Sequence, residues 1–223
     1  MPVTGDFAAQ ALQSEPWGVE PAPVDSKALN FAMTITNRFA ELPTVWTIGH
    51  STRSLSEFQE LLLTNDINNL VDVRSYPGSR RYPHFNQTEL GRELVAEGIE
   101  YHHMPNLGGR RKSTPHSKNT AWRNESFRAY ADHMESEDFK RGISDLLVLA
   151  RRGFTAIMCA EAVWWQCHRS LIADYLKANG SPVIHIINGA RNQPHPYTSA
   201  ARIIDGELSY EGLLPADRVR KFS

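Results

Sequence analysis

Short apolar segments alternate with amphipathic ones along most of this chain, and that alternation constrains its fold more than any other feature. The apolar segments predict strands at about residues 44–50, 70–74, 99–103, 154–159 and 182–187. The amphipathic segments predict helices from Ser54 and at about residues 88–97, 125–134, 136–152 and 168–179. Because alternating strands and helices build parallel sheets covered on both faces, we expect a mostly parallel sheet. The chain is therefore predicted to form a single three-layer α/β domain over residues 43–212, with a small C-terminal hairpin on the Asp205–Gly206 turn.

The two ends of the chain differ in composition from this alternating part. The first thirty or so residues are rich in Ala, Pro, Ser and Glu, so we expect residues 1–42 to form a poorly ordered tail or extension. Residues 213–223 are expected to form a C-terminal tail. No signal peptide is visible, and no apolar run approaches the roughly 20 residues that a membrane span needs. With only two cysteines, these features predict a cytoplasmic protein without a membrane partner.

Polar and reactive side chains stand at the ends of four predicted strands. His50 follows the first, Arg74 ends the second and His103 ends the third. Cys159 ends the fourth, and Glu161 lies two residues beyond it. Because parallel strands bring their carboxyl ends to one edge of a sheet, where ligands bind in open α/β folds, we expect these side chains to share a site.

The two cysteines are candidates for covalent catalysis. Cys167 lies at the predicted start of a helix, beside His168 and Arg169, where the helix dipole and a neighbouring cation favour a thiolate. We expect Cys167 to be the nucleophile of a thiol-dependent enzyme and Cys159 to be a second, resolving thiol. The predicted catalytic residues are Cys167, Cys159, Glu161 and His168. Cysteine is also among the most buried residue types, so a structural role for both is the alternative.

Arginine and aromatic residues are concentrated in the loops expected near this edge. The predicted substrate-binding residues are His50, Arg74, Arg80, Arg81, His103, Arg110, Trp122 and Arg169. Guanidinium groups recognise phosphate and carboxylate, and aromatic faces stack on nucleobases, so the expected substrate is small and anionic or nucleotide-like. Trp164 and Trp165, between the two cysteines, suggest a lid or a pocket wall.

Two other kinds of site remain open. Cys159, Cys167 and His168 include donors that zinc or iron accept, although the seven residues between the cysteines do not match the usual zinc spacings. No other cofactor is evident from the sequence. A nucleic-acid or nucleotide binding module would use the arginine–aromatic loops, but a net charge of -1 offers no general attraction to nucleic acid.

Several separated motifs resemble those of one protein family. They are Thr47–Ser51, Val71–Ser75, Ser79–Arg81, Leu107–Arg110, Cys159–Glu161 and Cys167–Arg169. Together they resemble the domain of unknown function 488 family of uncharacterised bacterial and archaeal proteins. The resemblance runs from about Trp46 to Tyr210. It implies a compact α/β domain and brings no established reaction.

A weaker resemblance, in the order of elements alone, is to rhodanese-like domains. Rhodaneses carry a cysteine persulfide in the loop after a late strand, as Cys159 follows the fourth strand here. The segment from Cys159 to Arg169 departs from the tight rhodanese loop, since it is longer, holds two tryptophans and lacks glycine.

Overall fold

A computed structural model describes residues 42–112, 114–189 and 191–212 of the protein. The tails that the sequence predicts, at residues 1–42 and 213–223, lie outside these residues apart from position 42. Six strands form one sheet: β1 (Val45–Gly49), β2 (Asn69–Asp72), β3 (Glu100–His103), β4 (Thr155–Cys159), β5 (Val183–Asn188) and β6 (Arg191–Pro194). Their order across the sheet is β3-β2-β4-β1-β5-β6, and all neighbouring pairs are parallel except β5 with β6.

The antiparallel edge strand β6 is the one element of the sheet that the sequence did not predict. Its residues, Arg191–Pro194, include neither β-branched nor aromatic side chains, which are the usual signal of a strand. Proline lacks the N–H that a central strand would donate, so Pro194 suits the edge of a sheet. Pairing with β5, rather than local propensity, therefore defines this strand.

Five helices of the expected type connect the strands: α1 (Leu55–Thr64), α2 (Gln87–Ala96), α3 (Glu125–His133), α4 (Glu137–Arg152) and α5 (Arg169–Ala178). The capping box that predicts α1 is formed, because the Ser54 hydroxyl accepts from the Glu57 N–H while the Glu57 carboxylate accepts from the Ser54 N–H. The side-chain oxygens of Asn124 and Ser136 also accept backbone N–H groups at the starts of α3 and α4, without the reciprocal bond of a capping box.

The helices cover both faces of the sheet, which confirms the predicted three-layer arrangement. On one face α1 and α2 bury Phe58, Leu62 and Leu90 against apolar residues of the sheet. On the other face α3, α4 and α5 enclose a second cluster that includes Tyr130 and Phe139. A two-stranded hairpin of β7 (Arg202–Ile204) and β8 (Glu207–Ser209) follows, as predicted. Its turn residues Asp205 and Gly206 have φ of 51° and 86°, the positive values of a tight hairpin turn.

The path of the chain produces a crevice between β1 and β4. These two strands are neighbours, but the chain leaves β1 towards the face that carries α1 and leaves β4 towards the face that carries α5. Where neighbouring parallel strands send their connections to opposite faces, a gap opens at the carboxyl edge of the sheet, and α/β proteins bind ligands there. The fold thus places the loops after His50 and Cys159 on the two sides of such a gap.

Candidate functional site

A cavity of about 620 Å³ lies at this gap, within the range of small-molecule sites. Eight of the twelve residues that the sequence analysis selected line it: His50, Arg74, Arg81, Arg110, Cys159, Glu161, Cys167 and His168. The lining also includes Ser51, Ser75, Tyr76, Gln166 and Phe127, which sequence reasoning missed. Ser51, Ser75 and Tyr76 lie within two residues of His50 and Arg74, so that proximity was the available signal, whereas Phe127 reaches the cavity from α3. The fold therefore brings most of the candidate residues into one space.

Four selected residues lie elsewhere. Arg80 is exposed and does not line the cavity. His103 donates from Nε2 to the Arg74 carbonyl oxygen at 2.9 Å, and so supports the loop after β2 from behind. Trp122 packs against Phe127 at 4.9 Å between ring centroids, one layer back from the cavity wall. Arg169 is buried beneath the cavity floor.

The expected lid of two tryptophans is not formed. Trp164 is only 7% exposed, and its ring stacks on the imidazole of His185 at 4.3 Å between centroids. Trp165 is about half exposed. Neither residue lines the cavity. A short 3-10 helix over Trp164–Gln166 directs the side chain of Trp164 into the core. A pattern of polar and apolar residues over three positions is too short to predict this direction.

Cys159 and Cys167 meet on the cavity floor, where the structure pairs their sulfur atoms. Their Cα atoms are 7.7 Å apart, whereas relaxed disulfides join Cα atoms about 4.4–6.8 Å apart. This backbone therefore holds the two sulfurs in contact, but it would have to close by about 1 Å to span a relaxed bridge. The structure joins the two sulfur atoms as a disulfide. After reduction, two thiols held this close could not both ionise easily, because the second negative charge would face the first.

Arg169 contacts Cys159, not the neighbouring Cys167 as the sequence analysis expected. Its Nε donates to Cys159 Sγ at 3.0 Å, and its NH2 donates to the carbonyl oxygen of Glu161 at 2.7 Å. The side chain is 1% exposed. Burial, with a smaller contribution from the charge of nearby Arg53, lowers the pKa of Arg169 to about 9, and the charge of Glu161 acts in the opposite direction. In the part of the chain that the structure describes, Arg169 forms no ion pair with a carboxylate.

Close packing of the loop after β4 onto β1 makes this contact possible. The backbone carbonyl of Glu161 lies so near Gly49 that a Cβ atom at position 49 would be 1.8 Å from the carbonyl oxygen. The same Cβ atom would approach Arg169 NH2 to 2.9 Å. A side chain at position 49 would therefore push the Cys159 loop and the guanidinium group out of place.

His168 presents a hydrogen-bond acceptor to Cys167. Its Nε2 lies 3.1 Å from the Val73 carbonyl oxygen, which can only accept, so the ring proton is on Nε2. Burial, with a smaller contribution from the charge of Arg169, lowers the pKa of His168 to about 4, which keeps the ring neutral. Its unprotonated Nδ1 then faces Cys167 Sγ at 3.4 Å and can accept the thiol hydrogen.

Arg74 is held mainly by the protein itself. Its Nε donates to both carboxylate oxygens of Asp72, at 2.9 and 3.0 Å, and its NH2 donates to the Phe85 carbonyl oxygen at 2.8 Å. The remaining nitrogen, NH1, lies 3.3 Å from His50 Nε2. Burial lowers the pKa of His50 to about 4, with Arg74 adding to the effect, so this imidazole is also neutral. Asp72 therefore neutralises Arg74, which mainly orders the cavity wall.

Two further arginines stand at the cavity mouth against tyrosine rings. The guanidinium carbon of Arg81 lies 5.4 Å from the centre of the Tyr82 ring, and that of Arg110 lies 5.7 Å from the centre of the Tyr76 ring. Both arginines are exposed, and neither forms an ion pair with any carboxylate in the described ranges. Stacking on a ring restrains a guanidinium group without neutralising it. The mouth thus carries two positive charges that remain available to an anion.

The arrangement does not gather the donors of the alternative metal site. Among residues 42–112, 114–189 and 191–212, no group of three or more His, Cys, Asp or Glu side chains is placed to hold a metal ion. Cys159, Cys167 and His168, the donors that the sequence suggested, do not form such a group. Separately, none of the helices in the described part has the length and apolar character that crossing a bilayer requires.

Comparison with known proteins identifies one family. No curated protein and no solved structure matches the chain, so the resemblance to rhodanese-like domains stays untested. Residues 54–176 match the family model described as Domain of unknown function DUF488. The match covers more than half of the chain and runs from the N-terminal cap of α1 into α5, including both cysteines. The chain therefore belongs to the DUF488 family.

Proposed function

We propose that this protein is a cysteine-dependent enzyme that acts on a small anionic substrate held in the cavity, with Cys159 as the reactive thiolate. The observation that carries the proposal is the contact between Arg169 Nε and Cys159 Sγ on the cavity floor. The assignment exchanges the roles that the sequence alone suggested for the two cysteines, because the buried cation touches Cys159.

The support is electrostatic. A buried guanidinium group needs a negative partner, since an unpaired charge in a protein interior costs several kcal/mol. The other described hydrogen-bond acceptors on Arg169 are neutral, namely the Thr47 hydroxyl at 3.4 Å and the Glu161 carbonyl, and the Glu161 carboxylate acts on it through its charge without forming an ion pair. A Cys159 thiolate supplies the negative charge, and the adjacent cation in turn lowers the pKa of that thiol.

Cys167 takes the second role. Its thiol hydrogen has an acceptor in neutral His168, whose low pKa makes the imidazole a weak base. Cys167 therefore keeps its proton while Cys159 gives up its own, and the pair shares one negative charge. With the two sulfur atoms in contact, a group bound to Cys159 lies within reach of Cys167 for transfer.

The substrate class follows from the charges at the mouth. Arg81 and Arg110 are both available to bind an anion, and Arg110 lies against the exposed ring of Tyr76. Tyr76 is 74% exposed, which leaves ring surface for a flat group of the ligand. A nucleotide would use both features, with phosphate on the arginines and the base on Tyr76. Inorganic phosphate would use the arginines alone.

The test compares two alkylating agents of similar size on the reduced protein, one neutral (iodoacetamide) and one anionic (iodoacetate). Alkylation of Cys159 and Cys167 is followed separately by peptide mass spectrometry against pH. We expect a half-point for Cys159 well below the free-thiol value of about 8.5. At low salt we also expect iodoacetate to be favoured over iodoacetamide by roughly tenfold relative to the same thiol in the urea-unfolded protein.

Matched variants identify the source of the anion preference. Arg81→Gln and Arg110→Gln should each lower the preference for iodoacetate, whereas Arg151→Gln removes an equally exposed charge at the far end of α4 and should leave it unchanged. Protection of Cys159 by a nucleoside monophosphate but not by inorganic phosphate would assign the nucleotide-like class. A Cys159 thiol that reacts only after unfolding, or with the half-point of a free thiol, would refute the proposal.

A further inference from the structure

A chain of buried polar side chains continues inward from Arg169. Four residues, which we call the relay, form it: Thr47 of β1, His185 of β5, His195 after β6 and Asp174 of α5. Each of the four is at most 3% exposed. Trp164 covers the relay, stacking on His185 and meeting His195 edge-on at 5.1 Å between centroids. Asp174 lies on the apolar inner side of α5, so its position needs an explanation beyond packing.

Hydrogen bonds join the relay without a gap. Arg169 NH1 is 3.4 Å from Thr47 Oγ1, which is 2.7 Å from His185 Nδ1. His185 Nε2 lies 2.9 Å from His195 Nδ1, and His195 Nε2 lies 3.0 Å from Asp174 Oδ1. Counting the Arg169 contact to Cys159 Sγ, an uninterrupted path of hydrogen bonds connects the thiol to a buried carboxylate.

The two ends of the path determine the direction of every bond in it. The Asp174 carboxylate can only accept, so His195 carries a proton on Nε2 and, as a neutral ring, accepts at Nδ1. His185 then donates from Nε2 to His195 and, as a neutral ring, accepts at Nδ1. The Thr47 hydroxyl hydrogen is therefore directed at His185 Nδ1, and a lone pair of the same oxygen accepts from Arg169, which can only donate. Each hydrogen bond of the relay thus joins one donor to one acceptor. When both histidines are neutral, only one set of proton positions satisfies all of these bonds.

Other contacts anchor the far end. The Asp174 carboxylate also accepts from the Thr198 N–H at 2.9 Å, from the Thr198 hydroxyl at 2.6 Å and from the Tyr210 hydroxyl at 2.9 Å. A carboxylate with this many donors cannot turn, so it sets the orientation of both imidazole rings. The Thr47 lone pair that faces Arg169 is thereby held in place.

We propose that the relay positions the Arg169 guanidinium group against Cys159 and thereby maintains the reactivity of that thiol. The inference rests on the proposed function, in which the Arg169–Cys159 contact activates the cysteine. It makes the relay residues positioning residues, because none of them lines the cavity or touches Cys159. A purely structural relay would instead affect stability alone.

Several charged or titratable groups surround the Cys159 thiol from neighbouring elements. They are His50 and Arg53 after β1, Asp72 and Arg74 at the end of β2, Glu161 and Cys167 after β4, and His168 and Arg169 at the start of α5. A substitution at Thr47 changes none of these side chains, and Arg169 is the one among them that the Thr47 hydroxyl contacts in the described residues. A change in the pH dependence of Cys159 in such a variant therefore reports on Arg169.

The test uses the full chain with Thr47→Val, which removes the hydroxyl and keeps the branched shape. Thr47→Ser, which keeps the hydroxyl, serves as the rescue variant. Thr155→Val is the control for loss of a buried threonine hydroxyl, because Thr155 is fully buried at the opposite end of β4 and bonds Asn69 and Gly153. We expect Thr47→Val to raise the alkylation half-point of Cys159 by about one pH unit, a tenfold smaller thiolate fraction at low pH. Thr47→Ser and Thr155→Val should keep the wild-type half-point.

The outcomes separate this inference from the proposed function. A wild-type half-point equal to that of a free thiol overturns both, whereas a low half-point that Thr47→Val leaves unchanged overturns the relay alone. If Thr47→Val does not fold, ¹⁵N spectra of the wild-type imidazoles decide. Neutral rings protonated at Nε2 in both His185 and His195 support the relay, and a proton on Nδ1 of His185 overturns it.

Discussion

Acid should destabilise this protein well above the pH at which its carboxylates titrate, because the fold buries neutral histidines. Burial lowers the pKa of His50 and His168 from 6.5 to about 4, and that of His185 to about 3. In the unfolded chain each of these histidines binds a proton near pH 6.5, whereas in the folded protein the same histidine binds a proton only at a much lower pH. The unfolded state therefore holds more protons between these values, and the free energy of unfolding falls as the pH falls.

The size of the effect follows from the shifts. Between pH 7 and pH 5 each of these histidines takes nearly one proton on unfolding, which corresponds to about 2 kcal/mol per residue. Three of them give an upper limit of about 6 kcal/mol, comparable with the whole stability of many domains. His133, whose pKa is also lowered by burial, adds in the same direction.

Urea denaturation followed by tryptophan fluorescence, at fixed salt and at intervals between pH 7.5 and 5, measures this dependence. The slope should approach about 4 kcal/mol per pH unit near pH 5, the value for three protons. In His50→Gln the slope should fall by about one proton, or about 1.4 kcal/mol per pH unit. Carboxylates such as Asp132, whose pKa is lowered by hydrogen bonds from Ser117, Asn119 and Thr114, contribute only at lower pH. Equal stability at pH 7.5 and pH 5 would refute the reasoning.

Two further substitutions test the packing that supports the site. Gly49→Ala places a Cβ atom 1.8 Å from the Glu161 carbonyl oxygen. The substitution should therefore lower the free energy of unfolding by about 3 kcal/mol and alter the alkylation rate of Cys159. Wild-type stability in this variant would show that the loop after β4 can move away from β1 at no cost. Asp174→Asn replaces an acceptor of four hydrogen bonds by a side chain that must donate at one atom, so it should cost about 3 kcal/mol in urea denaturation, and a loss below 1 kcal/mol would contradict the arrangement.

The sequence predicted the fold well because its signals were local. The capping box at Ser54 and the Asp205–Gly206 turn each correspond to a structural feature at the same residues. The strand β6 was not predicted, because only its pairing with β5 defines it as a strand. Local propensity carries no information about an edge strand that depends on pairing.

The composition of the site was partly predictable for a different reason. Strand ends meet at one edge, so residues after β1, β2 and β4 could be assigned to one place without knowing any side-chain position. The alternation of strands and helices could not predict the direction in which each side chain points. Arg169 follows Cys167 by two positions in the chain, yet its guanidinium group crosses beneath the loop to Cys159. The relay was missed as well, although a carboxylate among the buried residues of α5 was a signal in the sequence.

The two buried arginines of this site differ in the partner that faces the guanidinium group. Arg74 lines the cavity and Arg169 lies beneath its floor, and both have nearly all of their surface covered. Arg74 has a carboxylate partner in Asp72, which neutralises it. Arg169 has a sulfur atom in the corresponding role, while Asp174 on the same helix is occupied by His195, Thr198 and Tyr210. If Cys159 kept its proton, Arg169 would have only neutral hydrogen-bond acceptors in the described residues, with the Glu161 carboxylate acting on it through its charge and without an ion pair. Under the proposed function, a Cys159 thiolate would be the anion in direct contact with the guanidinium group.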